Sequence, residues 1–140
     1  MNNQLSEHFT LSEMTHSSTA DRYKIDNTPS QFEYNNLKKL CEEVLEPIRM
    51  KWGKPIFVNS GYRSPQLNIR VKGAASSQHI TGCAVDITSE NNEKLFHLII
   101  SMLNNGEIEV SQLIDERNYS WLHIGLKENP DNNRNQVLHL

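Results

Sequence analysis

The sequence has few cysteines, no long apolar stretch and no excess of positive charge, and each deficit excludes a class of protein. Among its 140 residues are two cysteines, Cys41 and Cys83, and neither lies in a CxxC pair, so we expect neither a disulfide framework nor a thiolate metal site. No window approaches the roughly 18 consecutive apolar residues of a transmembrane helix. Fourteen Lys and Arg against 17 Asp and Glu give a net charge of −3, which argues against nucleic acid as a partner.

The amino terminus also lacks the pattern of a secretory signal. "MNNQLSEHFTLSEM" has no basic stretch followed by the roughly 7 to 15 apolar residues of a signal peptide. We therefore expect synthesis in the cytoplasm without a signal peptide. The composition, 36% hydrophobic and 22% charged, is that of an ordinary globular protein, and we expect one domain over residues 1–140 and a monomer.

Helix signals come first along the chain. "TLSE" at 10–13 has the spacing of a capping box, which predicts a short helix. A second helix is predicted to have Thr28 as its cap and Pro29 at its first position, and to end at Gly53. Pro47 lies inside this helix and should produce a kink, because proline removes one backbone hydrogen bond.

Strand signals follow, with one more helix between them. The β-branched and aromatic residues of "PIFVNSG" and "CAVDI" predict two strands, and "NNEKLFHLIISMLNNG" predicts a helix. "QLIDE" and "WLHIGL" predict a hairpin joined through "RNYS". Residues 60–81 and the polar tail from 127 are expected to be loops, with room for a closing edge strand near Val137. This order predicts an α+β fold with a small, mostly antiparallel sheet packed with helices.

Three polar side chains around the "CAVDI" strand could share a metal ion. His79 precedes a glycine-bearing turn, and Asp86 lies in an apolar strand, where an unpaired carboxylate is costly. A neighbouring strand can bring His123 beside Asp86. Two imidazoles and one carboxylate around an open position form a ligand set of catalytic zinc. The residues alone equally allow structural histidines and an ion pair of Asp86 with Arg63 or Arg70.

Three sequence motifs carry a family resemblance. They are "SGYRSPQLN" at 60–68, "SSQHITGCAVDI" at 76–87 and "WLHIG" at 121–125. These motifs resemble those of the zinc-dependent D-alanyl-D-alanine carboxypeptidase family, which includes phage and bacterial murein endopeptidases. The short single-domain members are the most similar, and "LSEHFTLSEM", "IDNTP" and "NRNQVL" extend the likeness to nearly the whole chain. The resemblance implies the fold of the hedgehog and D-Ala-D-Ala peptidases.

The resemblance also implies an activity. It implies one catalytic zinc ion bound by His79, Asp86 and His123, in a peptidase that hydrolyses peptide bonds of peptidoglycan stem peptides or cross-links. Such an enzyme would be a D,D-carboxypeptidase or an endopeptidase. Since peptidoglycan lies outside the membrane, a chain without a signal peptide would reach the cell wall as a phage lysis enzyme or a virion-associated protein, released through another protein's pore. A catalytically inactive, zinc-stabilised cell-wall module is the alternative.

The general base is the point at which the sequence departs from the family. Many members have Glu or Asp three residues before the last histidine, and this position is Ser120 here. Glu116 and Asp115 close the preceding strand. A four-residue loop would pair Glu116 with Trp121 and put it on the face of His123, whereas a loop of odd length would favour Asp115. We expect Glu116 to be the base.

Further residues are predicted to bind substrate. The Arg63 guanidinium can hold a peptide carboxylate or carbonyl and stabilise a developing oxyanion, or it can form an internal salt bridge. Ser77 is expected to offer its hydroxyl to the substrate backbone or to shape its turn. Tyr62 and Trp121 can line the cleft or belong to the core. The remaining histidines have no comparable setting and are assigned no chemistry: His8, His16, His97 and His139.

Overall fold

The computed structural model describes residues 1–128 and 135–140. Its helices are α1 (Leu11–Thr15), α2 (Ser18–Tyr23), α3 (Gln31–Leu40), α4 (Glu46–Trp52), α5 (Pro65–Arg70) and α6 (Asn92–Asn104). A π-helical turn, Cys41–Leu45, joins α3 to α4. The strands are β1 (Phe57–Ser60), β2 (Ala84–Thr88), β3 (Gln112–Glu116), β4 (Trp121–Gly125) and β5 (Gln136–His139).

The five strands form one sheet in the order β1-β2-β4-β3-β5. All neighbouring pairs are antiparallel except β3 and β5, which run parallel. Helices with a mostly antiparallel sheet confirm the predicted α+β class. The closing strand at the end of the tail is also present, and the part of the tail at 129–134 lies outside the described residues.

One face of the sheet forms the apolar core with the helices. Side chains alternate along a strand, so Val85 and Ile87 of β2 and Leu122 and Ile124 of β4 point to the same side. They join a buried cluster with apolar residues of α3, α4 and α6. The opposite face carries Asp86 and the other polar positions of these strands, and the functional candidates lie there.

The predicted start of the long helix is wrong by two residues. Ser30, not Thr28, caps α3, because the Ser30 N–H donates to Glu33 Oε1 at 3.0 Å and the Ser30 hydroxyl donates to Glu33 Oε2 at 2.9 Å. The Thr28 N–H instead donates to Asp26 Oδ1 at 3.0 Å in the preceding turn. A cap with a carboxylate three residues later satisfies the free helix-end amides that Thr28 cannot reach.

The irregularity expected at Pro47 is a π-helical turn just before that residue. Here the Glu46 N–H donates to Cys41 O, five residues back. Pro47 has no N–H with which to continue the regular ladder, and its ring crowds the preceding turn. The helix then ends as predicted at Gly53, whose φ is 72° and whose N–H donates to Arg49 O.

The loop predicted over residues 60–81 contains a short helix that the sequence reasoning missed. Ser64 caps α5, its hydroxyl accepting the Leu67 N–H at 3.2 Å, and Pro65 occupies the first helical position. A serine followed by proline is a helix start signal, so the sequence did carry the information. Among the described residues, no helix has the length and apolar character needed to cross a membrane.

We predict that Gly82→Ala destabilises the fold much more than Gly106→Ala. Both glycines have positive φ, 79° and 71°, so both variants carry the same backbone strain. A Cβ on Gly82 would also lie 2.6 Å from Glu33 O, whereas nothing lies within 4 Å of one on Gly106. The free energy of unfolding, measured by urea denaturation, should fall by about 1 kcal/mol for Gly106→Ala and by about 2 to 4 kcal/mol for Gly82→Ala. Equal losses would contradict the packing argument.

Candidate metal centre

The sheet register brings two of the predicted ligands together. β2 pairs with β4 so that Asp86 lies directly opposite His123. Residues opposite each other in an antiparallel pair have side chains on the same face. The His123 Nδ1 atom is 2.9 Å from Asp86 Oδ1. Strand pairing alone therefore places an imidazole against a carboxylate.

The third predicted ligand, His79, comes from the turn before β2. Its ring is almost fully buried, 3% exposed, and its Nε2 atom is 3.4 Å from Asp86 Oδ2. Its Nδ1 atom lies 2.7 Å from Gly61 O, a carbonyl that can only accept, so Nδ1 carries the proton. That hydrogen bond fixes the ring with Nε2 directed at Asp86, which is how metal-binding histidines usually present their second ring nitrogen.

The donor set and its spacing fit a tetrahedral divalent cation. One ligand atom from each of His79, Asp86 and His123 lies within 4.8 Å of the others. Metal–ligand bonds of about 2.0 to 2.1 Å in a tetrahedron put neighbouring donors about 3.3 Å apart. The His79 nitrogen is 3.4 Å from Asp86 Oδ2 and the His123 nitrogen is 2.9 Å from Asp86 Oδ1, so each is near that distance from one oxygen of the carboxylate. Three donors of this kind suit zinc and leave one position open.

The ionisation of Asp86 also suits a cation site. Burial raises the pKa of this carboxyl, but hydrogen bonds from His123 and His79 outweigh burial and hold the pKa well below its usual range. Asp86 is therefore a carboxylate near neutral pH. A buried carboxylate is costly unless positive groups compensate for its lost hydration.

Arg63 lies beside this carboxylate. Its Nη2 atom is 3.8 Å from Asp86 Oδ2, while Nε donates to Ser60 Oγ and Nη1 to Asn68 Oδ1, both at 3.3 Å. Burial lowers the pKa of the guanidinium, and Asp86 and Glu116 offset part of that effect. Arg63 thus makes the expected internal contact with Asp86, and 19% of its side chain remains exposed. Arg70, the other suggested partner, stacks on Tyr23 instead.

The two carboxylates at the end of β3 have different surroundings. As predicted for a four-residue loop, Glu116 pairs with Trp121 and shares the face of His123. The Trp121 indole donates to Glu116 Oε2 at 2.8 Å. Asp115 points to the other face, where it is buried, accepts the Tyr119 N–H at 2.6 Å and contacts His139 Nδ1 at 2.9 Å.

The hairpin loop that follows Glu116 is conformationally strained. Arg117, Asn118 and Tyr119 have φ values of 50°, 54° and 63°, a region that residues with a side chain rarely occupy. Asp115 holds the loop through the Tyr119 N–H, and the Asn92 amide donates to Tyr119 O at 2.9 Å. Sequence reasoning missed these supports, since no pattern links Asn92 to a loop 27 residues away.

The predicted substrate-binding residues lie in three settings. Ser77 Oγ accepts the His79 N–H at 3.2 Å, so it shapes the turn that carries the ligand. Tyr62 is 5% exposed and packs in the core. Trp121 is half-buried and its indole donates to Glu116. The guanidinium carbon of Arg117 lies 5.4 Å from the centroid of the Trp121 ring.

Of the histidines that were assigned no chemistry, His16 lines a cavity that reaches Ser60 and Arg63, and the other three have contacts elsewhere. His8 contacts Glu46 Oε2 at 2.6 Å, and the same carboxylate accepts the Ser6 hydroxyl at 2.7 Å. These contacts fasten the amino-terminal segment to α4. His97 and His139 pack against the Phe96 ring, with centroids 5.8 Å and 5.3 Å away.

Comparison with known families finds a match that spans the candidate site. The sequence model described as peptidase M15 matches residues 7–124, a stretch that contains all three candidate ligands. The chain belongs to the peptidase M15 family. Membership confirms the family resemblance read from the motifs and identifies a metallopeptidase of a zinc-dependent family. The family model stops matching the chain at residue 124, so the match does not include "NRNQVL". A search of curated proteins found no match.

We predict that zinc stabilises the M15 peptidase and that Asp86→Asn removes this effect. The amide keeps the shape of the carboxylate but lacks its charge, so the ion loses its one anionic ligand. Free zinc at about 100 times Kd should stabilise the native chain by about 2.7 kcal/mol. Thermal unfolding of the metal-free protein, with and without zinc, measures the effect. Asp21→Asn, an exposed change on α2, should respond like the native chain; an undiminished zinc response of Asp86→Asn would contradict the site.

Proposed function

We propose that this M15 peptidase is a single-domain zinc enzyme, residues 1–140, which hydrolyses peptide bonds in peptidoglycan stem peptides or cross-links. The proposal is carried by the meeting of three metal-type donors with a guanidinium and a carboxylate on one face of the sheet. His79, Asp86 and His123 would hold the ion. A zinc ion held there would supply a water whose pKa is lowered to about 7 and a Lewis acid for the scissile carbonyl.

Glu116 is the proposed general base. It shares the face of His123, and the Trp121 indole holds one of its carboxylate oxygens, which leaves the other to accept a proton from the attacking water. Asp115 is less suited, because its two oxygens are taken by the Tyr119 N–H and His139. The contrast between the two neighbours follows from the twofold alternation of side chains along β3.

Arg63 is the proposed substrate ligand and oxyanion stabiliser. A guanidinium has five N–H donors, and Ser60 and Asn68 engage two of them. The remaining donors can hold a peptide carbonyl or a terminal carboxylate, and the fixed orientation lowers the entropic cost of doing so. Ser77, Tyr62 and Trp121 complete the proposed substrate contacts.

The proposed substrate assigns the place of action. Peptidoglycan lies outside the membrane, so we propose that the enzyme acts on the cell wall, as a phage lysis protein released through a pore made by another protein. D,D-carboxypeptidase and endopeptidase activities are both compatible with the centre, because substrate selection depends on surrounding loops rather than on the metal ligands.

A second candidate function is a catalytically silent, zinc-stabilised module that binds cell walls. The observation that favours it is Ser120 at the position where many relatives carry an acid. The Ser120 hydroxyl donates to Arg117 O at 2.6 Å, so it supports the hairpin loop. Binding to isolated cell walls without release of any new amine or D-alanine would support this function over hydrolysis.

We predict that the zinc-loaded protein cleaves muropeptides and that His79→Ala abolishes cleavage. Loss of the imidazole removes a ligand and one of the side chains that contact Asp86. Mass spectrometry of the digested muropeptides identifies the bond that is cut, and circular dichroism checks the fold. His97→Ala, on the exposed side of α6, is the matched control and should retain activity. Full activity of a folded His79→Ala variant would refute the proposed centre.

We predict that Glu116→Gln lowers kcat by about 100-fold or more, the usual contribution of a general base. Zinc content should stay the same, because Glu116 is not one of the three ligands. Asp115→Asn keeps an oxygen to accept the Tyr119 N–H, so its kcat should stay within about threefold of the native value. If kcat instead fell more in Asp115→Asn than in Glu116→Gln, Asp115 would be the base.

A further inference from the structure

A groove between α2 and α5 leads away from the metal centre. Its inner part, with a volume of about 290 Å³, reaches Ser60 and Arg63. Its outer part, with a volume of about 360 Å³, lies beside Arg22 and Arg70. Three residues line both parts and join them: Ser18, Thr19 and Val71. We call the whole cavity the α2–α5 groove.

The outer part of the groove holds two arginines in a fixed arrangement. The guanidinium carbon of Arg70 lies 3.5 Å from the centroid of the Tyr23 ring, and that of Arg22 lies 5.4 Å from it. Stacking orients the planar group and leaves its N–H edge free for a ligand. Within residues 1–128 and 135–140, neither arginine forms an ion pair.

The charge of the groove is opposite to that of the chain. The chain carries a net charge of −3, yet the described lining of the groove includes three arginines and no carboxylate. Asp86 contacts Arg63 from the metal side, and Asp21, the neighbour of Arg22, faces a different cavity. A concave surface lined by one sign of charge raises the local concentration of ligands of the other sign.

The lining also has the apolar and hydroxyl groups that a peptide requires. Leu67 is buried and lines the inner part, while Val71 and Tyr23 are 39% and 44% exposed beside the outer part. Ser18 and Thr19 present hydroxyls along α2. An extended peptide chain with a carboxylate can use all three kinds of surface, whereas a simple inorganic anion would leave the apolar surface unused.

We propose that the α2–α5 groove is a substrate subsite for a carboxylate-bearing residue of an acidic peptide, with Arg70 and Arg22 as its ligands. The inference rests on the proposed function, because the inner end of the groove is at Arg63 beside the metal centre. Stem peptides of peptidoglycan contain such a group in their D-glutamyl residue. The enzyme therefore distinguishes stems in which this carboxylate is free from stems in which it is amidated.

The test compares two muropeptides that differ only in whether the glutamyl carboxylate is free or amidated. The native enzyme should prefer the free acid, and the preference should shrink at high salt. Arg70→Gln should lower kcat/KM for the free acid about tenfold, mainly through KM, and leave the amidated peptide unchanged. Arg49→Gln removes the same charge from α4, outside the groove, and should change neither value.

Binding measurements separate failure of the subsite from failure of the proposed function. If both peptides are cleaved with equal kcat/KM, or Arg70→Gln impairs both equally, the subsite is overturned and the hydrolase stands. If neither is cleaved but calorimetry shows that the free acid binds more tightly than the amide, and that Arg70→Gln removes this difference, the subsite stands and the hydrolase fails. Absence of both cleavage and binding overturns both.

Discussion

The buried carboxylate of Asp86 is the group on which the rest of the site depends. Burial alone favours its neutral form, and the negative charge persists because His123 and His79 contact it at 2.9 and 3.4 Å. Arg63 lies beside it at 3.8 Å. Each partner comes from a different stretch of the chain. A charge that needs several partners to remain buried therefore keeps β1, β2, β4 and the preceding turn in one arrangement, and a divalent cation would complete the same compensation.

One face of the sheet packs in the apolar core, and the other face carries the candidate catalytic groups. Val85 and Ile87 join the apolar cluster, while Asp86 between them points to the polar face. The same alternation separates Asp115, which holds the strained hairpin loop, from Glu116, which lies on the face of the metal centre. A one-residue slip of β3 would exchange these two environments, so the register of the hairpin determines which carboxylate is available for catalysis.

The α2–α5 groove extends this arrangement beyond the metal centre. Arg63 belongs to both regions, because one edge of its guanidinium contacts Asp86 and its side chain also lines the inner groove. A substrate held by the outer arginines would thus be positioned relative to the ion by a residue that is itself fixed by Ser60 and Asn68. If both proposals hold, the metal ligands would carry out the hydrolysis, and α2 and α5 would select which peptide is bound.

Much of the fold was predictable from the sequence because its signals are local. Capping at Thr10, the helix end at Gly53, and the hairpin with its four-residue loop depend on hydrogen bonds or alternation over a few residues. Motif spacing likewise identified the family and the three candidate ligands. The contacts of Asp115 with His139 and of Arg70 with Tyr23 join residues far apart in sequence, so no periodicity or motif encodes them. Only the packing of α2 on α5 and of β5 on β3 decided those contacts, because pairing between distant segments depends on how the whole chain buries its apolar surface.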